Sequence, residues 1–464
     1  MPINTRHPSF AALQGDIVKM RDTTAGEDAV KAAKEKYLPR IGGHDDTEYD
    51  AYRNRAMFYG ATGRTLEALV GAVCRKAATL HGPEDWVKAY KEDVTGSGVS
   101  LNSLVGEMVR EILTTKMLGV LVDHNGTRPF ICAYVAENVI NILPDGTVVL
   151  AETEMVQSAE DRYVLTPQTN YRELTPTPNG IQVDLWKQDS AGKLVVVDTR
   201  FLARRGDASV FRTAPFILAQ IPGMPLLPLA QANLSHYRTT ADLENGLHWG
   251  GIFTPWVSAQ LDNTTVLKVG GSTAWLLPTG STVGMLEVKG DALAALETNK
   301  KAKEDLMASL GARLLVAQKK TAETEATARI NAGGEGATLS LTVDAVEAAL
   351  TKALRLMAVW DGRSDADVES IRCEINRDFV DARLSAQDIT AYVGLYQSGA
   401  IDLETFLLIL QGGEVLPDGR TPKDILALLD SQEPPMAGGT DPASGSTPEE
   451  RLKARASARQ TPTK

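Results

Sequence analysis

At 464 residues, with 43% hydrophobic and 23% charged side chains, the chain exceeds what one hydrophobic core usually organises, so roughly two to four structural regions are expected. A formal charge of −11 and a pI near 5.2 exclude a general nucleic-acid coat, which is basic throughout, and leave room for a local basic element in an acidic body. Cys74, Cys132 and Cys373 stand far apart without a CxxC pair, which excludes a cysteine zinc set and fits a reducing compartment. The opening MPINTRHPSF lacks an apolar core, and no run of about 18 apolar residues occurs, so a cytosol-like space without membrane contact is expected.

Residues 1–60 are helical in pieces, with Pro39 and the pair Gly42-Gly43 interrupting the pattern before a tyrosine-rich stretch. A helix follows, with Thr65 as its expected cap, Glu67 in its first turn and an apolar stripe of Leu66, Leu69, Val70, Val73 and Ala77 ahead of Gly82-Pro83. The next is expected from Leu101 to Leu118, between the turn-rich TGSGVS and Gly119, with Leu104, Val105, Met108, Ile112 and Leu113 on one face.

From Gly119 to Ile221 the period switches to two. Segments from GVLVDHNG to KLVVVDTRFLA alternate apolar and polar residues between turn pairs such as Asp145-Gly146, Asn179-Gly180 and Ala191-Gly192. This predicts an antiparallel β region of about a hundred residues.

The longest uninterrupted helical pattern runs from Leu229 to Trp249, where Leu229, Ala230, Leu234, Tyr237, Ala241, Leu243 and Leu247 recur at helical spacing. Such a helix is a rod of roughly 30 Å. Arg238, Asp242, Glu244, two asparagines and two histidines make it too polar for lipid, and its apolar positions are spread too widely for one neighbour. Strands are expected in TPWVSAQ, VLKVG, TAWLLP and MLEV, then a helix in DALAALETNKKAKEDLMASLGARLL. The polar run between Leu315 and Ser340 is expected to be a loop, followed by the periodic helix VDAVEAALTKALRLMAVW, a strand in CEINRDFV and short helices around Ala386–Gln397 and Leu403–Leu410. A Pro/Gly/Ser-rich tail from near Ser431 is too poor in apolar residues to pack.

No catalytic set rises above this background. AGKL at 191–194 has leucine where a phosphate-binding loop needs Ser or Thr, GGEG at 333–336 follows a polar run instead of a strand, and GxSxG and HExxH do not occur. His236 and His248 are twelve residues apart, a spacing that does not bring two helical side chains onto one metal as i and i+4 would. No catalytic residue, metal or cofactor is expected.

Five stretches carry a resemblance: YRNRAMFYGATGRTLEALVGAVCRK at 52–76, PFICAYVAENVINI at 129–142, NLSHYRTTADLENGLHWGGIFTPWV at 233–257, MASLGARLL at 307–315 and ETEATARI at 323–330. With the order of elements, they resemble the portal proteins of tailed double-stranded DNA bacteriophages, and within them a podophage-type family long described as a domain of unknown function. HYRTTADLEN is the most specific phrase.

The resemblance implies an α+β chain with wing, stem, clip and crown regions, assembled as a dodecameric ring at one capsid vertex around a DNA channel. Carried onto this sequence, it gives N-terminal helices and the first part of the wing at 1–150, the clip and adjoining strands at 151–224 and the stem helix at 225–250. The second part of the wing follows at 251–363 with a tunnel loop at about 316–340, then the crown at 364–432 and a disordered tail at 433–464. Lys319, Lys320 and Arg329 become the DNA-contacting set, without base specificity. Leu229, Leu234, Tyr237, Arg238, Asp242, Leu243, Glu244 and Leu247 become the stem and oligomer interface. The implied partners are further copies of the chain, double-stranded DNA, the large terminase subunit, head-tail adaptor and tail proteins, and major capsid and scaffolding proteins. The implied location is the virion, assembled in the host cytoplasm. Two other readings stay open: another head-to-tail connector or virion structural protein, and a soluble enzyme of unknown class.

Overall fold

The computed structural model of the chain describes residues 2–158, 161–189, 191–202, 211–251, 254–259, 275–286, 290–315, 325–377 and 386–412, with residues 267, 379, 415–416, 424–425 and 428. It mixes helix and sheet, 50% and 22%, as the α+β expectation requires. The chain divides into two compact units, Met1–Phe379 and Val380–Lys464.

The first unit opens with helices α1 (Pro8–Ala25), α2 (Glu27–Ala32), α3 (Asp46–Arg55) and α4 (Ala61–Val73). Local chemistry sets their starts. Pro8 enters α1 at a position that needs no N–H, and Asp45 and Glu48 form a reciprocal capping box on α3. Helix α4 begins four residues before the expected cap Thr65: Gly60 stands at its N-cap, and the buried face already includes Thr62. Strand β1 (Thr79–His81) and helix α5 (Glu84–Lys91) follow. The sequence pattern does not reveal α5, whose eight residues are too few to show a period, although Pro83 stands at its N-cap position and Trp86 and Tyr90 anchor it.

Helix α6 (Leu101–Thr115) is capped by Ser100 and stopped by Lys116 in a left-handed conformation at φ 65°. It therefore ends three residues before the expected Leu118, which belongs to β2 (Met117–His124). Next come β3 (Pro129–Tyr134), β4 (Val139–Ile142), β5 (Val148–Gln157), β6 (Leu165–Thr177), β7 (Gly180–Gln188), β8 (Leu194–Phe201) and β9 (Phe216–Gln220). All pairings are antiparallel, and they fall into two sheets in the orders β3-β2-β9 and β4-β5-β6-β7-β8. The stretch from 151 to 224 is thus shared: β5 to β8 build the larger sheet, while β9 returns to the smaller one. Gly146, Gly180 and Gly192 all have positive φ, which accounts for the three turn pairs.

Helix α7 (Leu227–Gly251) leads to a ribbon of β10 (Thr254–Ser258) and β11 (Thr282–Leu286), then α8 (Gly290–Leu315), α9 (Glu325–Trp360), α10 (Asp365–Ser370) and β12 (Arg372–Glu374), which pairs antiparallel with β1. Residues 275–278 of the expected strand TAWLLP are not strand, and most of VLKVG lies outside the described residues. The largest departure from expectation is α9. Its backbone is helical from Glu325, so the second half of the expected loop at 316–340, GGEG included, is helix. Glutamate and alanine on either side are strong helix formers, and a glycine costs only about 1 kcal/mol in a helix.

The core of this unit joins α1, α4 and α6, both β sheets and the second half of α9, where Val343, Val346, Leu350, Leu354 and Met357 are fully buried. The segment 364–379, expected to open the crown, belongs to this unit. In the second unit α11 (Ala386–Gln397) and α12 (Leu403–Gly412) bury Tyr396, Leu403 and Leu407 between them. Residues 433–464, expected to form a disordered tail, lie outside the described residues.

Candidate assembly surfaces

Two features stand out: the helix α7 with its bed, and the outer part of the five-stranded sheet. Helix α7 is surrounded within its own chain, touching α1, α3, α4 and α8, so its widely spread apolar positions are answered by intramolecular neighbours. Leu234, Tyr237 and Ala241 pack with Tyr37, Tyr49, Tyr52 and Phe58, while Leu229 and Ala230 join the main core. Polar groups tie the same helix to the preceding segment. Tyr52 Oη donates to Asp242 Oδ1 at 2.6 Å, Arg55 Nη1 to Asn245 Oδ1 at 3.1 Å and Thr240 Oγ1 to the Met57 carbonyl at 2.8 Å.

On the other side α8 comes so close that a Cβ on Gly246 would stand 2.7 Å from the Leu293 side chain. Lys303 Nζ donates to the Ser235 carbonyl at 3.1 Å and to Thr239 Oγ1 at 2.5 Å. His236, wholly buried, holds Nε2 3.2 Å from Glu304 Oε1, and its Nδ1 has no partner.

Burial depresses the His236 pKa despite Glu304, and Lys300 and Lys303 oppose protonation further. In the unfolded chain a histidine takes up its proton near pH 6.5. Protons therefore favour the unfolded state, and the stabilising contribution is whole above about pH 6.5 and is lost as pH falls through the folded value. Urea unfolding at pH 7.5 and 5.5 is expected to show a smaller acid loss for His236→Gln than for the wild type; equal losses would refute the assignment.

Of the eight residues assigned to an oligomer interface, Leu229, Leu234, Tyr237 and Leu243 are buried in the chain's own core. Arg238, Asp242 and Leu247 are exposed and Glu244 is half-buried, with Leu247 49% and Trp249 54% exposed at the far end of the helix. The missed signal is the aromatic run 49–59, from which Tyr49, Tyr52 and Phe58 pack under Leu234, Tyr237 and Ala241. In the set assigned to DNA, Lys319 and Lys320 lie outside the described residues, and Arg329 falls in the first turns of α9.

The five-stranded sheet is pinned at one end by charge. Asp123 of β2, almost fully buried, accepts from Arg172 Nη1 at 2.5 Å and Arg200 Nη2 at 3.0 Å, while Glu152 accepts from Arg172 Nε at 2.8 Å and Tyr134 Oη at 2.6 Å. Beyond this cluster the sheet emerges from the body: β5 is buried over its first four residues and mostly exposed after them, and the edge strand β8 is exposed along most of its length.

Burial pushes the Cys132 thiol up to about 11 and the Cys373 thiol to about 12, so both are held as unreactive thiols. Among the described residues no group of three His, Cys, Asp or Glu side chains could hold a metal ion, and no helix is long and apolar enough to cross a membrane.

A protein-family model described as "Domain of unknown function (DUF4055)" matches residues 225–361. Among curated protein sequences none matches the chain. Among solved structures, a chain from the virion of a native gene transfer agent particle is 14% identical, covering 82% of this chain and 98% of its own, with a TM-score of 0.42. A chain from the neck of the empty particle, computed with C6 symmetry, is also 14% identical, covering 82% and 97% with a TM-score of 0.40. One from the neck of the native particle, computed with C12 symmetry, is 12% identical, covering 75% and 89% with a TM-score of 0.36.

Proposed function

We propose that the chain is a portal-type, non-enzymatic component of a phage-like virion that assembles into a closed ring, provides a channel for packaging and ejecting double-stranded DNA, and docks terminase and head-tail proteins. The observation that carries this reading is the order of elements in the segment 225–361 matched by the family model: long helix, strand ribbon, helix, polar run, long helix. That is the order on which the resemblance to portal proteins rests, and the same segment contains its most specific phrase, HYRTTADLEN. In this reading α7 is the stem helix, and its exposed residues Arg238, Asp242, Leu247 and Trp249, with half-buried Glu244, face neighbouring copies. Strands β5 to β8 belong to the clip, the second unit to the crown, and Lys319, Lys320 and Arg329 to the DNA-facing set. The net charge of −11 suits a channel through which DNA slides without being gripped.

Imaging and native mass measurement of the purified chain test the proposal. Rings with a central hole and a mass of about 600 kDa are expected for twelve copies of a 49.9 kDa chain. Particles assembled with a Lys319→Ala, Lys320→Ala, Arg329→Ala variant are expected to contain rings but to retain DNA less well. A monomer at all concentrations would refute the ring, and full DNA retention would remove those three residues from the channel.

A further inference from the structure

The register of the five-stranded sheet sorts its side chains into two chemically different faces, because residues directly opposite in an antiparallel pair share a face. On one face Leu150, Leu174, Ile181 and Val183 enter the main core, and further out come Glu152, Arg172, Lys187 and Arg200. That face holds every strand lysine and arginine of the sheet. On the other, Val149 and Ala151 are covered by the N-terminal segment through Ile3, and beyond them the surface is open. Tyr171 pairs with Trp186 and Trp186 with Val196, Met155 lies opposite Pro167 and Leu165 opposite Gln157, and Phe201 lies opposite Gln182. Met155, Leu165, Val196 and Phe201 are each between 43% and 55% exposed.

The only charges among the strand residues of this open face are Glu173 and Asp184, which lie opposite one another. Both are held by neutral donors: Trp186 Nε1 donates to Glu173 Oε2 at 2.9 Å, and Gln182 Nε2 and Thr199 Oγ1 donate to Asp184 at 2.8 and 2.6 Å. Burial raises the Glu173 pKa, and Asp184 and Asp145 raise it further. An indole fixed beside two carboxylates, with Val196 directly opposite and Met155, Leu165 and Phe201 further along the same face, offers a cation both a π face and counter-charges. An apolar surface of this kind on a soluble chain marks an interaction site.

We infer that this open face of the sheet is a docking surface for a cationic, apolar segment of another protein. A lysine or arginine of the segment lies over Trp186 beside Glu173 and Asp184, and its apolar side chains lie on Met155, Leu165, Val196 and Phe201. Charge selects this occupant, since the strand residues of the face carry carboxylates and no cation. The inference stands whether or not the chain forms a ring.

A fluorescein-labelled octapeptide of alternating lysine and valine, titrated against the full chain by anisotropy, is the test, with the glutamate-valine peptide as its counterpart. The basic peptide is expected to bind, the acidic one not. Binding is expected to weaken at least about ten-fold in Glu173→Gln/Asp184→Asn and in Met155→Lys, and to weaken with added salt, while Gln168→Ala on the opposite face leaves it unchanged. The first variant keeps the shapes of both side chains and the second lies at an exposed position, so circular dichroism is expected to find both folded. Equal binding of the two peptides, or indifference to both variants, would overturn the inference. So would self-association of the chain that Met155→Lys abolishes, since that would give the face to a second copy.

Discussion

Leu234→Pro is expected to remove the cooperative folding of the first unit. Proline in a helix interior deletes one backbone hydrogen bond and clashes with the preceding turn, at a cost of about 3 kcal/mol or more. Position 234 is in the third turn of the 25-residue helix α7, past the first turn where proline is tolerated. Its leucine is 4% exposed, among Tyr49, Tyr52, Phe58 and Tyr237, so the lost packing adds about 2–5 kcal/mol. Together these are comparable with the whole stability of an ordinary domain, about 5–15 kcal/mol. Leu234→Ala separates the two effects: it keeps the helix and loses only the packing, and it is expected to lower the urea midpoint without changing the slope of the transition. The proline variant is expected to show neither a native transition nor assembly. Intact rings from Leu234→Pro would show that α7 is not the helix around which the chain is organised.

What the sequence revealed of this fold follows how local each determinant is. Helix α7, the antiparallel β region and the two helices of the second unit depend on periodicity and turn chemistry within about twenty residues, and the structure has all of them. Partners distant in sequence were hidden. Tyr52 and Asp242 are 190 positions apart and meet at 2.6 Å, and nothing in the spacing of either reveals that the tyrosines before Phe58 form the bed of α7. For that reason the apolar residues of α7 suggested contacts with other copies, when the chain supplies most of its own. The alternation in β9 matches that of the rest of the β region, but alternation says nothing about which sheet a strand joins. The helical backbone from Glu325 is hidden for a different reason: low hydrophobicity and two adjacent glycines resemble a loop, although the alanines and glutamates around them favour helix. The charge sorting of the five-stranded sheet was legible in principle, since alternation alone assigns faces within each strand, but it needed the register across β5 to β8 to become one surface.

Asp123→Ala is expected to cost about 3–5 kcal/mol, the usual effect of removing one member of a buried ion-pair group and leaving its partners uncompensated. The carboxylate is 6% exposed, and both of its oxygens are used: Oδ2 by Arg172 and Arg200, Oδ1 by the backbone N–H of His124 at 2.8 Å and also by Arg200. Arg172 lies between Asp123 and Glu152, and Glu152 in turn accepts from Tyr134, so the cluster joins β2 and β3 to β5, β6 and β8. It is the polar joint between the core of the body and the emerging part of the sheet. Arg200, on the edge strand and nearly half exposed, is the dispensable member, and Arg200→Ala is expected to cost less than about 1 kcal/mol because water already screens that pair. Replacing the buried pair together, as Asp123→Leu with Arg172→Met, removes the uncompensated charge and is expected to recover much of the loss seen in Asp123→Ala. Urea unfolding of these variants, with Asp123→Leu and Arg172→Met also made singly, decides the point. If Asp123→Ala costs no more than Arg200→Ala, or if the double variant is as unstable as the sum of its parts, the cluster does not hold the sheet to the body. Apolar packing of Leu150, Leu174, Ile181 and Val183 must then do so alone.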